Sequence, residues 1–134
     1  MPTEKVMVCV TEQKICERLI QNAIELLPNK EIEIFVLHVA LKDIKVIEDP
    51  QAAQALEYLF EKSKSYGASL TVLKSSDIRH TLLKFAVDND IDYMIMGETR
   101  LQNEKDSVIF KLKADLANTT TKIKVVPVNE KIMN

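Results

Sequence analysis

Two histidines and two cysteines are the residues of this chain best suited to acid–base, redox or metal chemistry. His38 lies within an apolar run, which is more typical of a packed strand residue than of a catalytic base. Cys9 also lies in an apolar run, where a buried thiol is inert. Cys16 opens a predicted helix, so we expect it to be the more reactive of the two thiols. The spacing of the four residues matches no metal-ligating motif.

Three alternating aspartates, Asp88, Asp90 and Asp92, are spaced like the first ligands of a calcium loop. They lack the glycine turn and the terminal glutamate that an EF-hand loop needs. We therefore favour the end of a helix followed by a turn into a strand. A nucleophile elbow is also excluded, because the chain contains no G-x-S-x-G motif.

Glycine is scarce, with 2 in 134 residues where average usage would give about nine. Loops that hold phosphates through backbone amides need several closely spaced glycines. The scarcity therefore excludes both the G-x-G-x-x-G dinucleotide fingerprint and the P-loop.

The charge balance and the apolar segments limit the partners and the location. Lysine plus arginine (18) against aspartate plus glutamate (20) gives a net charge of -2, which argues against a general nucleic-acid binder. No apolar run approaches the roughly 18 residues of a membrane helix, and no secretory signal opens the chain. We expect a reduced, cytoplasmic protein without nucleic-acid partners and without membrane insertion.

The hydrophobic pattern predicts five strands alternating with four helices in one domain, 1–134, with a flexible tail at 129–134. Continuous apolar runs at 5–11 and 93–97 are typical of central strands that are covered on both faces. The last strand, 121–128, alternates lysine with apolar residues and contains a proline, which is typical of an edge. The two remaining strands are predicted at 31–40 and 68–74.

The helices are predicted from apolar residues spaced three and four apart. Gly67 is expected to end the second helix in a left-handed conformation, and Ser76 or Asp77 to cap the third. The predicted buried faces comprise Ile15, Leu19, Ile20, Ala23, Ile24 and Leu27 in the first helix, Ala52, Ala55, Leu56, Leu59 and Phe60 in the second, Ile78, Leu82, Phe85 and Ala86 in the third, and Ile109, Leu112 and Leu116 in the fourth.

This order predicts an α/β protein with a five-stranded parallel sheet and helices on both faces. If the first and fourth strands are neighbours, the chain reverses direction between them. The crevice at their carboxyl ends is then the predicted ligand site. It would be lined by Val10, Thr11 and Glu12 on one side and by Gly97, Glu98, Thr99 and Arg100 on the other.

Three segments resemble the universal stress protein family: KVMVCVTEQKICERLIQNAIEL at the start, FVLHVA at 35–40, and SSDIRHTLLKFAVDNDIDYMIMGETR. The stretch 9–20 is especially similar to the universal-stress domain of Kdp potassium-sensing histidine kinases. The resemblance implies a Rossmann-like, adenine nucleotide α-hydrolase-like fold with strand order 3-2-1-4-5. It also implies homodimers paired through the last strand, here through Ile123, Val125, Val126 and Val128.

Family members that bind ATP resemble the pattern G-x-x-G, nine residues, then G-[ST]. Counting from Gly97 places Arg100 at the second glycine, and Phe110 and Lys111 at the final pair, so three of the four positions are changed. The family's acidic residue after the first strand has a near match at 11–12. The resemblance thus implies a degenerate site whose candidate nucleotide-binding residues are Val10, Thr11, Glu12, Val39, Gly97, Thr99, Arg100 and Lys111.

We expect from this a small regulatory or binding protein without catalytic activity, with a regulatory protein as a further partner. The alternative is a genuine member that binds ATP, AMP or cyclic di-AMP through a modified phosphate loop. A phosphoreceiver domain shares the architecture but needs acidic residues that 11–12 and 74–76 do not supply. Flavodoxins and α-hydrolase-type enzymes need a phosphate loop after the first strand, which the sequence TEQK does not provide.

Overall fold

The computed structural model describes residues 3–10, 16–28, 31–41, 50–97 and 108–127. The predicted tail at 129–134 lies outside these ranges. Strands and helices alternate as predicted: β1 (Glu4–Cys9), α1 (Cys16–Leu26), β2 (Ile32–Leu41), α2 (Pro50–Ser65), β3 (Ser69–Ser75), α3 (Ile78–Asp88), β4 (Tyr93–Gly97), α4 (Val108–Leu116) and β5 (Lys122–Val126).

The five strands form one parallel sheet in the order β3-β2-β1-β4-β5. The predicted fold class and strand order are therefore confirmed. β1 is the central strand, and Cys9 pairs with Leu37 of β2 on one side and with Met96 of β4 on the other. β5 lies at one edge, as its lysines and proline predict, and β3 lies at the other.

Two separate cores lie on the two faces of the sheet, and alternate residues of β1 and the adjoining Val10 contribute to each. Val6, Val8 and Val10 pack with residues of α1 and α2 on one face. Met7 and Cys9 pack with residues of α3 and α4 on the other. All five side chains are at most 5% exposed. This explains why the strand is continuously apolar rather than alternating.

The α2 helix ends in the left-handed turn that its glycine predicts. Gly67 has φ +73°, a conformation that costs other residues more because of their Cβ atom. Its amide donates to the Lys64 carbonyl at 3.0 Å, and the Ala68 amide donates to the Ser63 carbonyl at 2.8 Å. These two bonds form a Schellman motif, which satisfies carbonyls at the helix end.

The α3 helix begins at an aspartate cap and ends in a turn with the same bonding pattern as that of α2. The Asp77 carboxylate accepts a hydrogen bond from the His80 amide at 3.0 Å, which resolves the predicted alternatives in favour of Asp77. At the other end, the Ile91 amide donates to the Ala86 carbonyl at 3.0 Å. Asp90 takes the left-handed position there, with φ 52°.

The three alternating aspartates serve this helix end and the entry into β4. Asp88 is the last residue of α3, and Asp90 lies in the turn. Asp92 accepts the Lys5 amide through its carboxylate at 2.8 Å, which ties the entry of β4 to β1. Among the described residues, no cluster of three or more histidine, cysteine or acidic side chains could hold a metal ion. The positions of Asp88 and Asp90 match the predicted helix end and turn.

Two residues predicted on buried helix faces are exposed instead. Ile24 of α1 is 38% exposed and Phe60 of α2 is 55% exposed. The buried face of α2 contains Leu59 and Ser63 instead. Ser63 is 1% exposed, and its hydroxyl donates to the Leu59 carbonyl at 2.7 Å. A spacing of four residues keeps Ser63 on the Leu59 side, whereas the adjacent Phe60 is rotated away from it.

Candidate functional site

The predicted crevice lies where β1 ends between β2 and β4. Val10 directly follows β1 and is 2% exposed. Val39 lies in the last part of β2, and Gly97 is the last residue of β4; both are half-buried. The structure thus places these three candidate residues at the carboxyl ends of three neighbouring strands. The carboxyl edge at such a reversal is the usual ligand site of an open α/β sheet.

The β2 strand continues past the point where β1 stops pairing with it. The last β1–β2 pair is Cys9 with Leu37, whereas β2 and β3 remain paired as far as Leu41 with Ser75. The last β1–β2 hydrogen bond runs from the Val10 amide to the Leu37 carbonyl at 2.9 Å. Beyond it, the backbone of β2 on the side of β1 pairs with no described residue of β1.

Backbone alternation decides which groups this edge of β2 presents. In a parallel ladder, the N–H and C=O of every second residue face the same neighbouring strand. The Leu37 carbonyl faces β1, so the N–H and C=O of Val39 face the same side. A donor and an acceptor side by side on one strand can bind the edge of a planar heterocycle.

His38 lies at the same place and bonds to the end of β1. Its side chain is half-buried, and Nδ1 lies 2.9 Å from the Val10 carbonyl oxygen. Because a carbonyl oxygen can only accept, Nδ1 carries the proton and donates it. This is the structural role expected for His38, although the sequence does not indicate its partner. His80 is exposed in the first turn of α3.

The phosphate side of the predicted site is described in part. Thr11, Glu12, Thr99 and Arg100 lie outside the described residues. Lys111 is exposed in the first turn of α4, where it follows Phe110, which is 44% exposed. By the family resemblance, these two residues stand where ATP-binding members have the glycine–hydroxyl pair. They stand inside the helix rather than ahead of it.

The β5 edge is where the candidate dimer residues lie. Ile123 and Val125 are half-buried, Val126 is 4% exposed, and Val128 lies outside the described residues. The Lys122 amide donates to the Asp92 carbonyl at 2.9 Å, which points its backbone toward β4. By alternation, the backbone groups of Ile123 and Val125 point outward, so the edge can pair with another strand.

Both cysteines are buried, and they lie in the two different cores. Cys9 is 5% exposed and Cys16 is 0% exposed. Burial raises the pKa of the Cys9 thiol to about 12. Burial, together with the negative charge of Glu17, raises the pKa of Cys16 to about 11. Thiolate is the reactive form, so both thiols are protonated at neutral pH. That Cys16 is the more reactive of the two stays a prediction.

Polar side-chain pairs connect elements that are distant in sequence on each face of the sheet. The Tyr66 hydroxyl donates to the Glu17 carboxylate at 2.6 Å, and this bond, with that of Lys62, lowers the pKa of the carboxyl. On the other face, Arg79 donates two hydrogen bonds of 2.6 Å to Asp115, linking α3 to α4. The partners are 36 to 49 residues apart along the chain, and no local signal in the sequence pairs them.

A second link connects α1 to the strand edge. The Arg18 guanidinium of α1 donates to the carbonyl of Pro127, which follows β5. Pro127 has no amide hydrogen to offer a partner strand. Because the Pro127 carbonyl is bound by Arg18, the residues of this edge that can pair with another strand are Ile123 and Val125.

Among the described helices, none combines the length and the hydrophobicity that a membrane-spanning segment requires.

Comparisons with known proteins agree with this architecture. Among solved structures, the universal stress protein UspA from Lactobacillus plantarum superposes with a TM-score of 0.65 at 12% identity, covering 92% of this chain and 97% of that one. The Archaeoglobus fulgidus universal stress protein in complex with dAMP gives a TM-score of 0.64 at 16% identity, covering 93% and 98%. A universal stress protein in complex with cAMP gives 0.62 at 12%, covering 92% and 96%.

At these identities the structural likeness concerns the fold. No curated protein matches the chain in sequence. The model of the universal stress protein family, however, matches residues 2–122 and thus most of the chain. The chain belongs to the universal stress protein family.

Proposed function

We propose that this protein is a non-catalytic regulatory or binding member of the family that acts in the cytoplasm. It retains the crevice in which family members bind nucleotides but lacks the residues that bind the phosphates. The observation that carries the proposal is the pair Phe110 and Lys111 in the first turn of α4. The family resemblance assigns these positions to a glycine and a hydroxyl residue. A phenylalanine side chain prevents the close backbone approach that glycine allows, and lysine has no hydroxyl to donate.

Positive charge does not restore the lost contacts. Lys111 is exposed, and the sequence places Arg100 at another changed glycine position. Exposed charges attract an anion only weakly, because water and salt screen them. A phosphate-binding site relies instead on several backbone amides that converge on the same oxygen atoms. The exposed cation at Lys111 therefore favours a weak, unspecific attraction over a defined site.

A second candidate function is genuine adenine-nucleotide binding. It is favoured by the peptide edge at Val39, which pairs with no described residue of β1 and can pair with the edge of an adenine ring. It is also favoured by the dAMP and cAMP complexes of two family members. The likeness of residues 9–20 to the Kdp sensor domain adds cyclic di-AMP to the ligands that deserve a test.

Calorimetric titration of the full chain with ATP, AMP and cyclic di-AMP separates the two functions. We expect no saturable binding below about 1 mM, which corresponds to less than about 4 kcal/mol of binding free energy. We also expect no release of phosphate from ATP. Micromolar binding by the wild type that is lost in both Thr11→Ala and Gly97→Val would establish the second function and refute the first.

We further propose that two copies of the chain pair through β5. The outward backbone of Ile123 and Val125 supports this pairing, because an unpaired edge strand is a template for another strand. We expect light scattering to give the mass of two chains for the wild type and of one chain for Val125→Asp, since a carboxylate there must be desolvated. Val72→Asp makes the same change on the β3 edge, where Val72 is 39% exposed, and should leave the dimer intact. A monomeric wild type contradicts the proposal.

A further inference from the structure

The ladder between β1 and β2 stops although the next acceptor is in place. After the bond from the Val10 amide to the Leu37 carbonyl, a continuing parallel ladder would next join the Val39 amide to the Val10 carbonyl. Residues 38 to 41 of β2 remain in strand conformation and stay paired with β3. The interruption therefore arises on the β1 side, at the Val10 carbonyl.

The Val10 carbonyl is engaged by a side chain in place of that amide. The Nδ1–H of His38 donates to it across 2.9 Å. Side chains alternate along β2, so His38 lies on the same face as Val36, which belongs to the α1–α2 core together with Val10. The imidazole thus reaches from β2 to the end of β1 on one face, over the gap between the strands.

We propose that His38 is a positioning residue that holds the sheet open at the crevice. By taking the Val10 carbonyl, the ring leaves the Val39 amide directed into the gap between the strands. This role goes beyond the proposed function, because it concerns the shape of the crevice whether or not a nucleotide binds. It makes His38 the residue that decides how far β1 and β2 are paired.

Two substitutions at this position separate the donor from the bulk of the ring. In His38→Asn, the amide nitrogen can occupy the place of Nδ1 and keep the bond to Val10. In His38→Leu, a side chain of similar reach fills the face but has no donor. The Val10 carbonyl then needs another partner, because a buried carbonyl without a hydrogen bond is costly. The Val39 amide is the nearest backbone donor in the ladder.

Hydrogen exchange of individual amides, followed by NMR on the full chain, tests the proposal. In the wild type we expect the Val39 amide to exchange much faster than that of Val8, which lies within the β1 ladder. In His38→Leu, we expect Val39 exchange to slow about tenfold, which corresponds to about 1.4 kcal/mol. In His38→Asn, Val39 should exchange at the wild-type rate, and His80→Leu on the surface should also change nothing.

The Val8 amide reports in every variant whether the sheet is folded, so a destabilised variant is recognised. The wild type alone can overturn the proposal: a Val39 amide as protected as Val8 would mean that the ladder is not open. Equal Val39 exchange in folded His38→Leu and His38→Asn would also overturn it, because the donor would then have no effect on pairing.

Discussion

Replacing Leu59 with alanine is expected to lower the free energy of unfolding by about 2–5 kcal/mol, the usual cost of deleting a fully buried leucine side chain. Leu59 is 1% exposed and packs in the core between the sheet and the helices α1 and α2. Urea unfolding followed by circular dichroism measures the change, with an unchanged m-value as evidence that the transition stays two-state.

The neighbouring residue provides the matched control. Phe60 is larger than Leu59 but 55% exposed, so Phe60→Ala should change the free energy of unfolding by no more than about 0.5 kcal/mol. Helical spacing in the sequence places both residues on one buried face, whereas the structure separates them. Equal losses for the two variants would show that Phe60 is covered in the protein as it exists in solution.

Restoring the family's phosphate motif is expected to give the largest change in ligand affinity. The triple variant Arg100→Gly, Phe110→Gly and Lys111→Ser should bind ATP at least about a hundredfold more tightly than the wild type, a gain of about 2.8 kcal/mol. The physical reason is that the restored glycines allow backbone amides to approach the phosphates, while the new serine hydroxyl lies in the first turn of α4. Calorimetry measures the affinity directly.

A triple alanine variant at the same three positions is the control for this gain. It removes the same side chains and the same two cations without creating the motif, so we expect it to bind ATP as weakly as the wild type. If the restored variant folds and still fails to bind, the loss of the motif does not explain the absence of binding. The cause must then lie elsewhere in the crevice.

The parts of the fold that the sequence predicts are those in which neighbouring residues alone indicate burial, an edge or a turn. The apolar runs around Val8 and Ile95 indicate strands covered on both faces, and both strands are central in the sheet. Pro127 and the lysines before it indicate an edge, because an edge tolerates a missing amide and charged side chains. Gly67 indicates a left-handed helix end, which the structure contains.

The parts that sequence does not predict depend on register and on contacts between distant residues. The bond from His38 to Val10 spans 28 residues and requires the exact pairing of β2 with β1. Arg79 and Asp115 meet only because α3 and α4 pack on the same face of the sheet. For the crevice, the sequence indicates the carboxyl ends of the strands. It does not indicate that β2 extends beyond the last residue that pairs with β1.

The shared turn at the ends of α2 and α3 bears on the scarcity of glycine. One turn contains Gly67 and the other contains Asp90 at φ 52°. This backbone conformation has a higher energy for a residue with a Cβ than for glycine. In the denatured chain, however, aspartate samples far fewer backbone conformations than glycine, so folding at position 90 removes less entropy. This chain, with 2 glycines, is therefore slightly strained at its Asp90 turn. Its denatured state has a lower conformational entropy than that of a chain with glycine at this position.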